Sequence, residues 1–193
     1  MTNTPGATEH YDSSTIALHW VVVLLVACQW LGAHTIDWFP RGALRVDARS
    51  IHILTGALLA CVMVARTAWR VRGGRALPPG PSGVMGLAAR VLHGALNLSV
   101  ASVLIIGVFT AWIRGDSLFG LLQISPLGAY APEVRHALAE RILGFHALGA
   151  NLILILAGLH AGAALVHHFC LKDGVLRRMS PWNVVGCRVD GPA

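Results

Sequence analysis

The residues best placed to do chemistry are four histidines in one apolar stretch: Phe145 to His168 carries His146, His160, His167 and His168. An uncharged run of about 20 residues crosses a bilayer as a helix, and an imidazole inside it must be satisfied by a partner. The interval between His146 and His160 narrows the choice. Fourteen residues, at about 100° and 1.5 Å each, return to within about 40° of the same helix face, about 21 Å further along the axis. Two imidazoles then project from one face at opposite membrane depths. That is the arrangement needed to hang two haems from one helix, since haem iron takes axial His.

Depth also selects the partners, because a haem held by two imidazoles needs both at one level on different helices. His146 lies about 5 Å below the outer face, and His52, at the start of its own apolar segment, is similarly shallow. His160 lies about 5 Å above the inner face, a level matched by His19, one turn into the first segment. The expected pairs are therefore His52 with His146 and His19 with His160. Four unpartnered imidazoles would each cost several kcal/mol in the apolar layer. Hydrogen bonding to a neighbouring helix accounts for any one of them, but not for the matched depths of the set. His93 starts the third segment near the inner level and competes with His19 there. His34 and His136 fall at or beyond the outer boundary and read as solvated.

The elements that must position these residues are four apolar segments: Thr15–Ile36, His52–Val71, Val91–Ile113 and Leu143–Leu171. The chain has 193 residues, 55% hydrophobic and 12% charged, with a mean hydropathy of +0.63, which excludes an ordinary soluble domain. The expected fold is all-α, an integral membrane four-helix bundle binding two haems. Residues 1–12 form an N-terminal tail, 13–179 the transmembrane domain and 180–193 a C-terminal tail. Acidic and hydroxyl residues stand where a secretion signal would have a basic start, so the first segment is expected as a mature helix.

Charge sets the expected topology. With four spans, the termini and the second connection share one side, which holds nine basic residues against four acidic ones; the other side holds six against five. The positive-inside rule then makes both termini cytoplasmic, in a bacterial inner membrane. Scattered Arg without interleaved aromatics argues against nucleic acid. Cys28 and Cys61 read as small apolar residues, and Cys170 and Cys187 fall on the reducing side. No CxxCH occurs, which argues against covalently attached haem.

Gly56, one turn from His52, leaves room for a flat macrocycle to approach the backbone. Gly73 to Gly86 reads as a Gly- and Pro-rich linker, Leu118 to Ile124 as a segment along the membrane surface, and Pro132 to Ile142 as a short amphipathic helix. His93, His167 and His168 gather on the inner side, where imidazoles can pass the protons that quinone reduction consumes, and Trp20 could stack beside such a ring. An interfacial Trp and snorkelling polar ends explain the same residues without a quinone.

The chain also resembles the bacterial cytochrome b561 family from about Tyr11 to Met179. The stretches that carry the likeness are YDSSTIALHW, WFPR, SIHILTGALL, VARTAWR, LHGALN, ERILGFHALGANLILILAGLHAGAALVHHF and LKDGVLRRM. The resemblance implies two haem b groups ligated by His19, His52, His146 and His160, and a ubiquinone site near the inner haem with Trp20 and His167. Asn97 stands where members often have Tyr. One branch of the family resembles superoxide:ubiquinone oxidoreductases, and there Arg41, Arg45, Arg49 and Arg114 could draw an anion to the outer haem. The function expected is electron transfer between an outer donor, small molecule or protein, and membrane quinone. The alternative is a cytochrome b anchor linking a dehydrogenase or hydrogenase to the quinone pool. A transporter would want carboxylates at mid-membrane, and the central portions of the spans contain no Asp or Glu.

Overall fold

The computed structural model describes residues 10–73, 83–126 and 128–181; residues 1–9 and 182–193 of the expected tails, with Cys187, and 74–82 of the expected linker lie outside it. Four helices make up most of the described chain: α1 (Ser13–Thr35), α2 (Ala43–Arg72), α3 (Gly83–Arg114) and α4 (Pro132–Val166). All four are long and apolar enough to cross a membrane. Their outward surfaces are aliphatic, with Leu24 63%, Leu98 69% and Ile155 61% exposed, as expected for side chains facing lipid.

Local chemistry sets the helix ends. Asp12 caps α1, its carboxylate accepting from the Thr15 amide at 2.9 Å and the Thr15 hydroxyl at 2.7 Å. Pro132 opens α4, with Glu133 in its first turn, where a fixed φ and a negative charge both favour a helix start. The helix closes in a π-type turn, His167–Leu171, stopped by Lys172 in the left-handed region.

Two connections are more helical than the sequence suggested. α2 begins at Ala43, so Arg45 and Arg49 stand on its first turns, and α3 begins at Gly83. Pro132–Ile142 is continuous with α4 rather than a separate helix. In each case nothing between the polar turns and the apolar span breaks the hydrogen-bond ladder, so the helix runs on past the membrane boundary. Leu118–Ile124 takes part in a small antiparallel hairpin, β1 (Ser117–Leu118) with β2 (Leu122–Gln123). Ser50, fully buried on α2, accepts from the Phe119 amide at 2.8 Å and so pins the hairpin to the helix.

α1 packs on α2 and α3 on α4, with α3 and α4 in the closer contact. Gly149 permits that approach, since a Cβ there would meet Val103 Cγ2 at 2.6 Å. The main buried cluster takes one residue from each helix, Val22, Leu59, Val100 and Ile153, with Leu25, Val26, Val62, Met63, Val103 and Leu104 packed against it. Leu59 stands seven residues from His52, Val100 seven from His93 and Ile153 seven from both His146 and His160. A seven-residue interval keeps one helix face turned toward its neighbours. An apolar cluster thus lies between the two histidine layers.

Candidate functional site

Each histidine layer is built from facing rings on α1 or α2 and α4. In the layer nearer the termini, His19 and His160 have ring centroids 6.3 Å apart at an interplanar angle of 77°. In the layer at the far end, His52 and His146 are 6.2 Å apart at 79°. The two layers therefore repeat one geometry. Two metal–imidazole bonds of about 2.0 Å, each with about 1.1 Å from nitrogen to ring centre, would set such centroids roughly 6.2 Å apart.

The surroundings prepare the rings to ligate. His146 Nδ1 donates to the Val103 carbonyl of α3 at 3.1 Å; a carbonyl can only accept, so the proton is on Nδ1 and the lone pair on Nε2. Gly107 of α3 makes room for that ring, because a Cβ there would meet its Cε1 at 3.0 Å. His52 Nδ1 is buried with no hydrogen-bond partner. The space at Gly56, expected for a macrocycle, is instead held by Gln29: a Cβ at Gly56 would lie 2.7 Å from Gln29 Nε2. That amide donates to the His52 carbonyl at 3.1 Å and accepts from the Thr55 hydroxyl at 3.0 Å, which holds the helix backbone behind the ring. His93 belongs to the layer near the termini, its ring 5.0 Å from that of His160.

Trp20 and His167 are not in direct contact with each other among the contacts described; both are tied to the segment that follows α4. Trp20 Nε1 donates to the Met179 carbonyl at 2.9 Å, and His167 Nδ1 pairs with Asp173 Oδ2 at 2.5 Å. The hydrogen bond with His167 holds the Asp173 carboxyl below its ordinary range. The N-terminal segment joins the same end, where the Tyr11 amide donates to the Arg178 carbonyl at 3.3 Å and Trp69 Nε1 to Asp12 at 2.9 Å.

At the far end three of the four arginines expected to draw an anion are in ion pairs. Asp116, only 9% exposed, takes Arg49 at 3.1 Å and Arg114 at 3.5 Å, while Arg45 pairs with Asp37 at 3.3 Å. Arg41 is exposed in the turn before α2. The residue types of this end promise a positive field, but Asp116 reduces it to a net single charge across the Arg49–Asp116–Arg114 cluster. His34 packs against Trp30, with ring centroids 4.1 Å apart, and is exposed, and His136 is exposed as well.

A profile of prokaryotic cytochrome b561 matches residues 10–182. The chain belongs to the prokaryotic cytochrome b561 family. It is 32% identical over 172 residues to a probable superoxide oxidase CybB of Yersinia pestis, covering 89% of this chain and 96% of that one. It is 30% identical to cytochrome b561 homolog 1 of Escherichia coli, over 89% and 97% of the two chains, and 32% identical to homolog 2, over 92% and 93%. As a prokaryotic cytochrome b561 it is a bacterial multi-pass membrane protein, a b-type cytochrome of electron transfer that binds haem b.

The residues present fit that cofactor. The facing rings have the separation that a bis-imidazole iron requires, His146 has its Nε2 lone pair free, and His52 has a buried nitrogen that no protein group satisfies. Sequence reasoning missed two members of these layers, Gly107 and Arg66. The signal was available: each stands fourteen residues from a histidine on its own helix, His93 and His52.

Proposed function

We propose that this cytochrome takes electrons one at a time from superoxide at the outer face and delivers them in pairs to ubiquinone at the inner face, with both termini cytoplasmic. Two superoxide anions and two protons thus convert one quinone to quinol and release two molecules of oxygen. The observation that carries the reading is the repeated facing-imidazole geometry, 6.2 and 6.3 Å, in two layers at opposite ends of one bundle. His52 and His146 would hold the outer haem b, His19 and His160 the inner one. Bound haem supplies reversible one-electron chemistry, whose potential the protein tunes through its ligands, burial and nearby charge.

The chain's own residues do the rest. The apolar cluster around Val22, Leu59, Val100 and Ile153 disfavours water between the layers. Val103 fixes the His146 tautomer. On the inner side, His167 holds a proton at Nδ1 against Asp173 and keeps Nε2 free to give or take one at the quinone, and Trp20, fixed by Met179, offers a flat face to a quinone ring. On the outer side Arg41 attracts anions, and Arg49 and Arg114 share the carboxylate of Asp116. The name of the Yersinia relative supports superoxide as the donor.

The test is ubiquinone reduction by the purified protein in a superoxide-generating system. Quinol should form in proportion to the superoxide supplied, and formation that is indifferent to added superoxide dismutase would overturn the choice of donor. The charge cluster gives a sharper version. Asp116→Asn keeps the shape of the side chain and releases one net positive charge toward the outer surface, so the superoxide-driven rate should rise roughly threefold at low ionic strength and return to the parent rate as salt is added. A rate that does not rise, or a rise that salt leaves intact, would rule out electrostatic steering at this cluster.

A further inference from the structure

We infer that Arg66 is the counter-charge for a carboxylate on the rim of the inner haem, an inference that rests on the dihaem reading above. Arg66 stands fourteen residues beyond His52 on α2, as His160 stands fourteen beyond His146 on α4. The same rise of about 21 Å therefore carries α2 from the outer layer to the inner one. The location agrees: Arg66 Nη1 reaches Asn97, one turn beyond His93 on α3, and the His93 ring is 5.0 Å from that of His160.

The guanidinium there is under-partnered. Of its five N–H donors, Nη1 reaches Asn97 Oδ1 at 3.2 Å, while Nε is buried with no hydrogen-bond partner. None of the ion pairs among the described residues includes it, and no Asp or Glu occurs between residues 13 and 35, 48 and 72, 83 and 114, or 141 and 171. A guanidinium with a buried, unpartnered Nε and no carboxylate along these stretches of the helices favours an anion from outside the polypeptide. Haem b carries its only anionic groups, two propionates, on the rim of the macrocycle, and a haem held by His19 and His160 would bring that rim into the layer of Arg66. Asn97 aims the fork: its Nδ2 donates to the His93 carbonyl at 2.9 Å while its Oδ1 receives Arg66. Arg66 is thus a positioning residue, and its charge favours the reduced state of the inner haem.

Arg66→Gln and Arg66→Lys, each purified as the haem-loaded protein, test this by redox titration and by infrared difference spectra with haem 13C-labelled at the propionate carboxyls. In Arg66→Gln the reduced-to-oxidised ratio of the inner haem at a fixed ambient potential should fall about tenfold, with the outer haem unmoved, and the labelled carboxylate band should shift. Arg66→Lys should keep most of the parent potential. If the Gln variant loses its inner haem and the Lys variant keeps it, a charge requirement is equally established. Loss of that haem from both variants would mean packing rather than charge and overturn the assignment. So would an unchanged potential and carboxylate band in Arg66→Gln, whether turnover with ubiquinone falls, which would assign the cation to the quinone, or holds, which would assign it to a lipid phosphate. A parent protein with fewer than two haems would sink the dihaem reading itself; two haems indifferent to Arg66→Gln would sink only this inference.

Discussion

His160→Ala should halve the haem content of the purified protein, from two per chain to one, and the haem that remains should be the outer one. The ring of His160 faces His19 across 6.3 Å, and an iron left with a single imidazole in an apolar layer loses half of its axial attachment. His93 is not the partner of His160 in the parent protein: its ring is 5.0 Å from that of His160, short of the roughly 6.2 Å that two imidazoles need around one iron. His93→Ala should accordingly retain both haems. Haem quantified per chain, with the spectra of the two sites resolved by redox titration, decides the matter. Two full haems in His160→Ala, or the loss of one in His93→Ala, would mean that the inner layer is paired differently.

Gly107→Val should produce the complementary loss, emptying the outer site while the inner haem stays. Even a methyl group at this position would lie 3.0 Å from His146 Cε1 and 3.4 Å from Nδ1, and the branched side chain adds two more carbons against the ring. The imidazole must turn away, which breaks its hydrogen bond to Val103 and moves Nε2 off the line to His52. Displacing the support of a metal-binding histidine typically costs about 10- to 100-fold in affinity. The outer haem should therefore drop well below one per chain after detergent purification, with the helical content by circular dichroism unchanged. A Gly107→Val protein with both haems and an unaltered outer-site spectrum would show that His146 does not need this space.

Much of this was legible in the residues. Apolar length and the absence of central charge define four spans, and the fourteen-residue interval on α4 puts His146 and His160 on one face at two depths. Depth alone then brought His19 opposite His160 and His52 opposite His146, rings that lie 6.3 and 6.2 Å apart in the fold. The helix ends were less legible. Ala43–Ser50 and Gly83–Val91 are helical although nothing apolar demands it, because helices extend past the lipid boundary wherever no breaker intervenes.

Side-chain partnerships across helices were the least legible of all. Gln29 fills the space at Gly56, and Asp116 draws together Arg49 and Arg114, which a count of loop charges leaves free. Such contacts depend on which helix faces which, and periodicity within one helix carries no information about its neighbour. Arg66 and Gly107 are the instructive exceptions, since the interval seen on α4 recurs on α2 and α3 and locates both.

The central claim is that one bundle holds a haem in each of its two histidine layers. A dithionite-reduced minus air-oxidised spectrum of the detergent-purified protein, with haem extracted and counted against chain concentration, tests it most directly. The account predicts a b-type spectrum and two non-covalent haems per chain. A count of one, or of none after expression with ample haem, would contradict it.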